Sequence, residues 1–188
     1  GDHIVSANTI YGGTYNYLEH TLKSHNVDCT FIDPTQPDAI GNFEKAIRDN
    51  TKMVYIETIG NPNANLIDVE ALAEMCHSHG VPLVVDNTFA TPYLFRPLDH
   101  GADIVVESAT KFIGGHGIVL GGVIAENGRF DWAGSGRFLW MVDADPSYHG
   151  ISFIRDCPDS PVCTRIRAII LRDMGACISP VNLSLIHI

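Results

Sequence analysis

Apolar and polar positions alternate along the chain in two periods. Short runs of apolar, mostly β-branched residues predict buried strands, and stretches with an apolar residue every three or four positions predict amphipathic helices. The predicted strands cover residues 2–5, 27–33, 52–56, 81–85 and 121–125, with one more running through Val105 and Val106. The predicted helices follow Thr14, span residues 38–50 and lie between Asp68 and Gly80. This alternation predicts an α/β fold with a mostly parallel sheet flanked by helices.

The pattern weakens in the last third of the chain. Residues 126–159 are rich in glycine, aspartate and aromatic residues without a clear period, which predicts long surface segments. A further helix is predicted around Arg165, Arg167 and Arg172, whose side chains are interpreted as a solvated face. Residues 183–188 form an apolar tail. We see no repeat and no linker, so one domain is expected for 188 residues.

Polar side chains follow the ends of several predicted strands. Because the carboxyl ends of parallel strands meet at one edge of a sheet, where ligands bind, we expect these residues to gather there. They are Glu57, Asn61, Asp86, Ser108, Thr110 and Lys111. This expected convergence is the strongest physical argument for a functional site.

Lys111 and its neighbours carry a recognisable set of chemical groups. A lysine amine can form a Schiff base with an aldehyde, the hydroxyls of Ser108 and Thr110 can hold a phosphate, and the Asp86 carboxylate can pair with a pyridinium nitrogen. Together these groups match the requirements of pyridoxal phosphate (PLP). Only Lys111 among the four lysines is interpreted as following a buried strand, and those at positions 23, 45 and 52 as exposed helix or loop residues. The position directly after a buried strand also argues against a purely solvated role for Lys111.

Each of these signals has an ordinary structural alternative. A Ser-x-Thr-Lys run occurs often by chance, and an aspartate at a strand end is more often a cap or turn residue than a cofactor ligand. From the residues alone, Tyr11 is interpreted as a packed loop aromatic rather than a ring stacked on a cofactor. The glycines after Lys111 match neither the dinucleotide-binding nor the phosphate-loop motif. A non-PLP α/β binding module stays open at this point.

Composition and charge narrow the class of protein. The formal charge of −10 and the pI of about 5.2 argue against a general nucleic-acid surface, which needs basic patches. No apolar run approaches the roughly 20 residues that span a membrane, so no membrane partner is expected. The five cysteines are scattered, and His77 and His79 straddle a predicted helix end, so neither a disulfide framework nor a metal site is expected. A reducing, cytoplasmic location fits best.

Six short segments resemble one known family. They cover residues 11–16, 57–62, 84–89, 108–117, 130–132 and 145–150. In combination they resemble the Cys/Met-metabolism PLP-dependent enzymes, and within these the sulfhydrylase branch. The resemblance implies the central part of the large PLP-binding domain of a fold-type I enzyme, similar to aspartate aminotransferase. Residues 1–182 would form this partial domain, and residues 183–188 would be an atypical tail.

The resemblance implies a role for each matched residue. Lys111 would bond covalently to the cofactor's aldehyde, and Asp86 would pair with its pyridine nitrogen. Ser108 and Thr110 would hold its phosphate. Tyr11 would stack on the ring and assist proton transfer, which reverses the interpretation made from the residues alone. Lys111 and Tyr11 are thus the catalytic residues that the resemblance implies.

Three more matched residues would surround the same ring. Asn61 would lie near the phenolic oxygen, Glu57 would support that region, and Thr88 would sit beside the ring near Asp86. The implied reaction is a γ-replacement, in which acetate leaves O-acetyl-L-homoserine and sulfide or a thiol adds, so that sulfide gives homocysteine. The implied partners are this amino-acid substrate, sulfide or a thiol, and further copies of the chain in a dimer or tetramer.

The chain also departs from the family pattern. Family members are longer, with a phosphate-holding loop and a Tyr-x-Arg segment before the matched part and a C-terminal domain after it. Glu107 precedes Ser108 where a less acidic residue is expected. The alternatives are therefore a cystathionine γ-synthase or methionine γ-lyase type of enzyme, or a fragment without catalytic activity.

Overall fold

A six-stranded, mostly parallel sheet forms the centre of the molecule. The computed structural model describes residues 1–187. The strands are β1 (Asp2–Ala7), β2 (Val27–Ile32), β3 (Thr51–Glu57), β4 (Leu83–Asp86), β5 (Ile104–Glu107) and β6 (Val123–Glu126). They lie in the order β2-β1-β3-β4-β5-β6; β1 to β5 run parallel, and β6 pairs antiparallel with β5. The predicted α/β class is confirmed.

Helical segments connect and flank the strands. The helices are α1 (Gly12–Asn16), α2 (Ala39–Ala46), α3 (Val69–Ser78), α4 (Thr91–Leu94), α5 (Leu139–Val142), α6 (Phe153–Asp156), α7 (Pro161–Arg165), α8 (Arg172–Met174) and α9 (Pro180–His187). π-helical turns at Tyr17–Thr21 and Ile166–Leu171 and 3₁₀ turns at Leu22–His25 and Pro97–His100 continue or connect them.

Helix α3 shows how the sequence pattern sets a helix. The Asp68 carboxylate caps its first turn by accepting a hydrogen bond from the Ala71 N–H at 3.0 Å. Leu72 and Cys76 of the predicted apolar stripe are fully buried in the main core, which also contains the central strands. Gly80 follows the helix with a φ of +62°, a conformation that glycine adopts without strain.

Helix α2 is shorter than the helix predicted over residues 38–50. It begins at Ala39 and ends at Ala46, and Ile47 is already extended. The Arg48 N–H donates to the Thr51 hydroxyl at 2.8 Å. The helix ends early because the Arg48 N–H finds its hydrogen-bond partner in Thr51, at the start of β3, rather than within a further helical turn.

The strand register brings polar residues to one face at the carboxyl edge of the sheet. Glu57 at the end of β3 pairs with Asp86 at the end of β4, and Asp86 pairs with Val106 of β5. Residues that pair directly point to the same face, and side chains alternate between faces along a strand. Tyr55 lies two residues before Glu57 and therefore shares this face.

The prediction of long surface segments over residues 126–159 was wrong in part. Trp132, Phe138, Met141 and Phe153 are buried and form a second hydrophobic core. The Trp132 and Phe138 rings pack edge to face with centroids 4.9 Å apart. These residues follow no helix or strand period because turns and very short helices, rather than long elements, bring them together.

Arg137 ties this second core to the sheet. Its guanidinium donates at 2.6 to 3.0 Å to three backbone carbonyls near the start of β3, those of Arg48, Asp49 and Thr51. In return, the Lys52 ammonium donates to the Arg137 carbonyl at 2.6 Å. Lys52 is therefore a half-buried strand residue, and its interpretation as an exposed helix or loop residue was wrong.

The arginines of the last predicted helix do not share one environment. The Arg165 guanidinium lies 4.4 Å from the centroid of the Trp140 ring and 6.0 Å from that of Phe153, which is cation–π geometry. Arg165 thus packs on the second core rather than on a solvated face. Arg167 and Arg172 are exposed, as predicted.

The predicted apolar tail lies within a helix. α9 covers Pro180–His187, and its Leu183 and Leu185 are exposed. Ile188, the last residue of the predicted tail, lies outside the described residues. Across residues 1–187, no helix is long and apolar enough to cross a membrane.

The two histidines of the predicted helix end contact different carboxylates. His77 hydrogen-bonds to Asp103 at 2.9 Å, and His79 hydrogen-bonds to Glu44 at 2.9 Å. The Asp103 bond raises the pKa of His77, and burial opposes the rise. In the described part of the chain, no group of three or more His, Cys, Asp or Glu side chains is placed to hold a metal ion.

Candidate active site

Asp86 lies at the carboxyl end of β4, and hydrogen bonds fix both of its carboxylate oxygens. Oδ1 accepts from the Thr88 backbone N–H at 2.9 Å and from the Thr88 hydroxyl at 2.5 Å. Oδ2 accepts from the Tyr55 hydroxyl at 3.1 Å. Three donors therefore hold the carboxylate in one orientation, and an ionised carboxylate has further acceptor capacity for a cationic partner.

Thr88 links the end of β4 to the segment after β5. Its hydroxyl oxygen accepts a hydrogen bond from the Ser108 N–H at 2.8 Å. Asp86, Thr88 and Ser108 thus form one hydrogen-bonded chain across two neighbouring strands. Thr110 is anchored separately, because its N–H donates to the Gly121 carbonyl at 3.2 Å and its hydroxyl accepts from the Gly121 N–H at 3.1 Å.

Lys111 follows this anchored segment but is itself exposed. Its backbone N–H donates to the Ser108 carbonyl at 3.0 Å, and its carbonyl accepts from the Gly115 N–H at 2.8 Å. The position after a buried strand does not bury Lys111, and the prediction that this lysine has more than a solvated role stays a prediction. A tight turn begins at Ser108 and carries the lysine away from the sheet core.

Glu57 and Tyr11 connect β3 to the turn before α1. The Tyr11 N–H donates to the Glu57 carboxylate at 2.5 Å. The Tyr11 residue is 56% exposed. Its ring lies beside Gly13, where an added Cβ would stand 2.5 Å from the ring atom Cε1. The interpretation of Tyr11 as a packed loop aromatic was therefore wrong, because more than half of the residue's surface is open. An open face leaves the ring able to stack on a planar ligand.

The same face of the sheet carries a second carboxyl group beside Asp86. Burial is the main cause that raises the pKa of Glu57 to about 7; the bond from the Tyr11 N–H opposes the rise, and the charge of Asp86 adds to it. The pKa of Tyr55 is raised by burial first and then by the charges of Asp86 and Glu57. Tyr55 is therefore a protonated hydrogen-bond donor at neutral pH.

Asn61 lies in the turn after β3. Its N–H donates to the Thr9 carbonyl at 3.1 Å, and it precedes Pro62 through a cis peptide bond. Gly60 closes the turn by donating to the Asn65 carbonyl at 2.8 Å. The turn holds Asn61 half-buried beside the loop that follows β1.

A cleft of about 980 Å³ opens at this edge of the sheet, which is a size typical of small-molecule sites. Its walls include Asp86 and Ser108 together with Tyr55, Thr14 and Gly121. Within residues 1–187, the remaining predicted site residues lie outside these walls: Tyr11, Glu57, Asn61, Thr88, Thr110 and Lys111. The structure therefore joins Asp86, Thr88, Ser108 and Lys111 through hydrogen bonds at the cleft edge, whereas the other predicted site residues bond elsewhere.

Sequence reasoning missed Tyr55, which contacts Asp86 directly. The available signal was its position two residues before Glu57 in a strand, because period-two alternation places both side chains on one face. The signal did not identify the partner, since Asp86 belongs to the next strand and lies 31 positions away in sequence.

Glu107, the unexpected acidic residue before Ser108, is buried and bonded to Asn87. The Asn87 amide donates to Glu107 at 2.9 Å and accepts from the Thr58 hydroxyl at 2.8 Å. Burial raises the pKa of Glu107, the Asn87 bond opposes this rise, and the charge of Asp86 adds to it. Because Asp86 pairs with Val106, the Glu107 side chain points to the opposite face of the sheet.

These residues fit PLP. The fixed Asp86 carboxylate in the cleft suits a protonated ring nitrogen, Ser108 and Thr110 offer hydroxyls for a phosphate, and Lys111 supplies an amine for an aldehyde. A mostly parallel sheet with these groups at its carboxyl edge defines the class of fold-type I PLP-dependent enzymes.

The sequence model of one family, the Cys/Met metabolism PLP-dependent enzymes, matches residues 1–187. The chain belongs to this family. The predicted cofactor, PLP, and the predicted enzyme class are thereby confirmed at the level of the family.

Curated and solved relatives agree with this assignment. An O-acetyl-L-homoserine sulfhydrylase of Leptospira meyeri is 43% identical over 97% of this chain and 42% of the relative. An L-methionine gamma-lyase of Treponema denticola is 44% identical over 80% of this chain and 37% of the relative. A crystal structure of a candidate O-acetylhomoserine (thiol)-lyase from Campylobacter jejuni, with N'-pyridoxyl-lysine-5'-monophosphate, superimposes with a TM-score of 0.89 at 34% identity over 99% of this chain and 46% of that chain. The chain therefore spans less than half the length of these relatives.

Proposed function

We propose that the chain is the central part of the PLP-binding domain of an enzyme that replaces the acetate of O-acetyl-L-homoserine with sulfide. The bond between the γ-carbon and the ester oxygen breaks, a carbon–sulfur bond forms, and the products are homocysteine and acetate. The sulfhydrylase named among the relatives supports this substrate. The observation that carries the proposal is the hydrogen-bonded chain from Asp86 through Thr88 to Ser108.

Bound PLP supplies an electron sink for a carbanion formed on the amino acid. In our proposal Asp86 holds a proton on the ring nitrogen, and Ser108 and Thr110 bind the phosphate. Lys111 would hold the aldehyde and would move protons on the substrate. Tyr11 would pack on the cofactor and assist this proton transfer.

Three further residues complete the proposed site. Asn61 lies near the phenolic oxygen, Glu57 holds the Tyr11 turn through the observed N–H bond, and Thr88 holds Asp86 beside the ring. Glu57 and Thr88 therefore act through the groups that they position.

The proposed partners follow from the same reaction. They are O-acetyl-L-homoserine, sulfide or a thiol, and further copies of the protein in a dimer or tetramer. We also propose a cytoplasmic location, because five cysteines scattered along the chain without a paired spacing are typical of proteins from a reducing compartment.

A γ-elimination of L-methionine is the second candidate, because a methionine gamma-lyase is 44% identical over 80% of this chain, against 43% over 97% for the sulfhydrylase. In that reaction no external nucleophile adds at the γ-carbon, and a thiol leaves. The sheet edge is compatible with both reactions, since both begin by removing protons from the bound amino acid.

The deciding experiment offers the full-length protein either O-acetyl-L-homoserine with sulfide or L-methionine alone. We expect homocysteine from the first mixture and little 2-oxobutyrate from the second, measured by mass spectrometry. Lys111→Ala serves as the inactive control. Lys45→Ala, which changes a side chain that is 72% exposed, serves as the matched control. Faster turnover of methionine would overturn the sulfhydrylase proposal in favour of the lyase.

A further inference from the structure

Tyr55 is a buried phenol at the edge of the cofactor face. It is 7% exposed, it lies on β3 two residues before Glu57, and it lines the cleft that contains Asp86. Its hydroxyl donates to Asp86 Oδ2 at 3.1 Å. This oxygen is the one that Thr88 leaves unbonded, because both Thr88 donors bind Oδ1.

The two sets of bonds restrain Asp86 from opposite sides. Thr88 lies in the loop directly after β4 and moves with that strand. Tyr55 lies on the neighbouring strand β3, whose register with β4 is fixed by the pairing of Glu57 with Asp86. A carboxylate that is bonded only through Oδ1 could still turn about its χ2 angle, whereas a second bond to Oδ2 from another strand prevents this rotation.

We infer that Tyr55 is a positioning residue that holds the Asp86 carboxylate in one orientation about its χ2 angle. Its hydrogen bond also limits how much negative charge this carboxylate presents to the ring nitrogen of PLP. This inference rests on the proposed function. A neutral O–H donor draws electron density from the carboxylate without neutralising it. The titratable groups around Tyr55 are Asp86 and Glu57 on its own face of the sheet and Cys163, Arg167 and Cys177, which line the same cleft. The sign of the effect follows from Asp86, its direct hydrogen-bond partner.

The test is Tyr55→Phe in the full-length protein, which removes one oxygen atom and keeps the ring. We expect PLP to dissociate about tenfold more readily, because the Asp86 carboxylate, once freed at Oδ2, can rotate away from the ring nitrogen and this loss of orientation outweighs its greater negative charge. We also expect the pH midpoint of the visible band of the lysine-bound cofactor to move upward, because a more negative Asp86 favours protonated forms of the cofactor. A residue with a merely structural role would leave this midpoint unchanged.

Two controls separate the possible causes. Tyr93→Phe makes the same chemical change at a side chain that is 91% exposed and should change neither quantity. In a protein that already carries Asp86→Asn, Tyr55→Phe should have almost no further effect on PLP affinity, because its partner has lost the charge. Independent, additive effects of the two substitutions would overturn the inference.

A second variant covers the case in which Tyr55→Phe does not fold. Replacement of Tyr55 by 3-fluorotyrosine strengthens the donor at nearly constant size, and the midpoint should then move downward. A midpoint that stays constant in the folded variants, or that moves in the opposite direction, overturns the role of Tyr55. Absence of any lysine-bound cofactor in the unsubstituted protein would instead overturn the proposed function, so the two failures are distinguishable.

Discussion

The two ends of the proposed cofactor site are held very differently. At the end of β4, three hydrogen-bond donors fix the Asp86 carboxylate, two from Thr88 in the following loop and one from Tyr55 on the neighbouring strand β3. Beyond β5, Lys111 is exposed, and in the described part of the chain its hydrogen bonds are backbone bonds to Ser108 and Gly115 within its own turn. The Asp86 end of the proposed site is therefore preorganised by the sheet, whereas the Lys111 end is positioned by a turn.

This difference has a physical origin. A strand end in a parallel sheet has neighbours on both sides whose positions are fixed by register, so a side chain there can receive donors from another strand. A turn supplies only local backbone groups. We infer that changes at Asp86 and its donors alter how tightly and in which state PLP is held, whereas changes at Lys111 decide whether the covalent bond forms.

The largest expected effect is that of Lys111→Ala. We predict complete loss of the visible band of lysine-bound cofactor in the full-length protein, because no other lysine follows the segment proposed to bind the phosphate. Lys45→Ala should retain the band. An unchanged spectrum in Lys111→Ala would contradict the assignment of Lys111 as the residue that bonds to PLP.

The second effect is that of Asp86→Ala. The substitution removes the fixed negative charge of the Asp86 carboxylate, which is proposed to face the ring nitrogen. We therefore expect turnover to fall by roughly 10² to 10³, with the covalent bond between PLP and Lys111 still formed. Turnover is measured as homocysteine released per minute at saturating substrate. Near-normal turnover would contradict the pairing of Asp86 with the ring nitrogen.

The third effect separates two Thr88 variants. Thr88→Val removes the hydroxyl that donates to Asp86 and that accepts from the Ser108 N–H. We expect about tenfold weaker PLP binding in an equilibrium dialysis experiment. Thr88→Ser keeps the hydroxyl and should bind PLP nearly as well as the unsubstituted protein; equal weakening in both variants would assign the loss to the methyl group instead.

The smallest effect concerns pH and Glu57. Its carboxyl group has a pKa of about 7 in the folded chain and an ordinary value of 4.5, so the folded state binds the proton more tightly. Glu57 therefore lowers the free energy of unfolding as pH rises from about 4.5 through 7. The full shift corresponds to about 2.5 kcal/mol between pH 5 and pH 8, and solvent screening of this partly hydrated group reduces it. We therefore predict that Glu57→Gln gains about 1 kcal/mol of stability relative to the unsubstituted protein when PLP-free samples at pH 8 are compared with samples at pH 5. Parallel stability curves for the two proteins would contradict this burial effect.

The sequence predicted the elements with a regular period and missed those without one. The stripe of α3 was confirmed because Leu72 and Cys76 recur at helical spacing on one buried face. The second core was missed because Trp132 and Phe153 meet only after several turns, and because Arg137, which ties it to the sheet, bonds to residues more than 80 positions away. No local pattern records a contact across that distance.

The candidate site shows the same division. The position of Asp86 at a strand end followed from the apolar run before it, so its place at the sheet edge was predictable. Its orientation was not, because the Tyr55 donor comes from a different strand. The exposure of Lys111 was also unpredictable, since the turn geometry after β5 rather than the strand itself decides where the side chain points.

The most direct test of the central claim is borohydride reduction of the full-length protein with PLP, followed by peptide mapping. We predict that the reduced cofactor is attached to Lys111 alone. Label on Lys23, Lys45 or Lys52, or label spread over all four lysines, would contradict the assignment of this sheet edge as the PLP site.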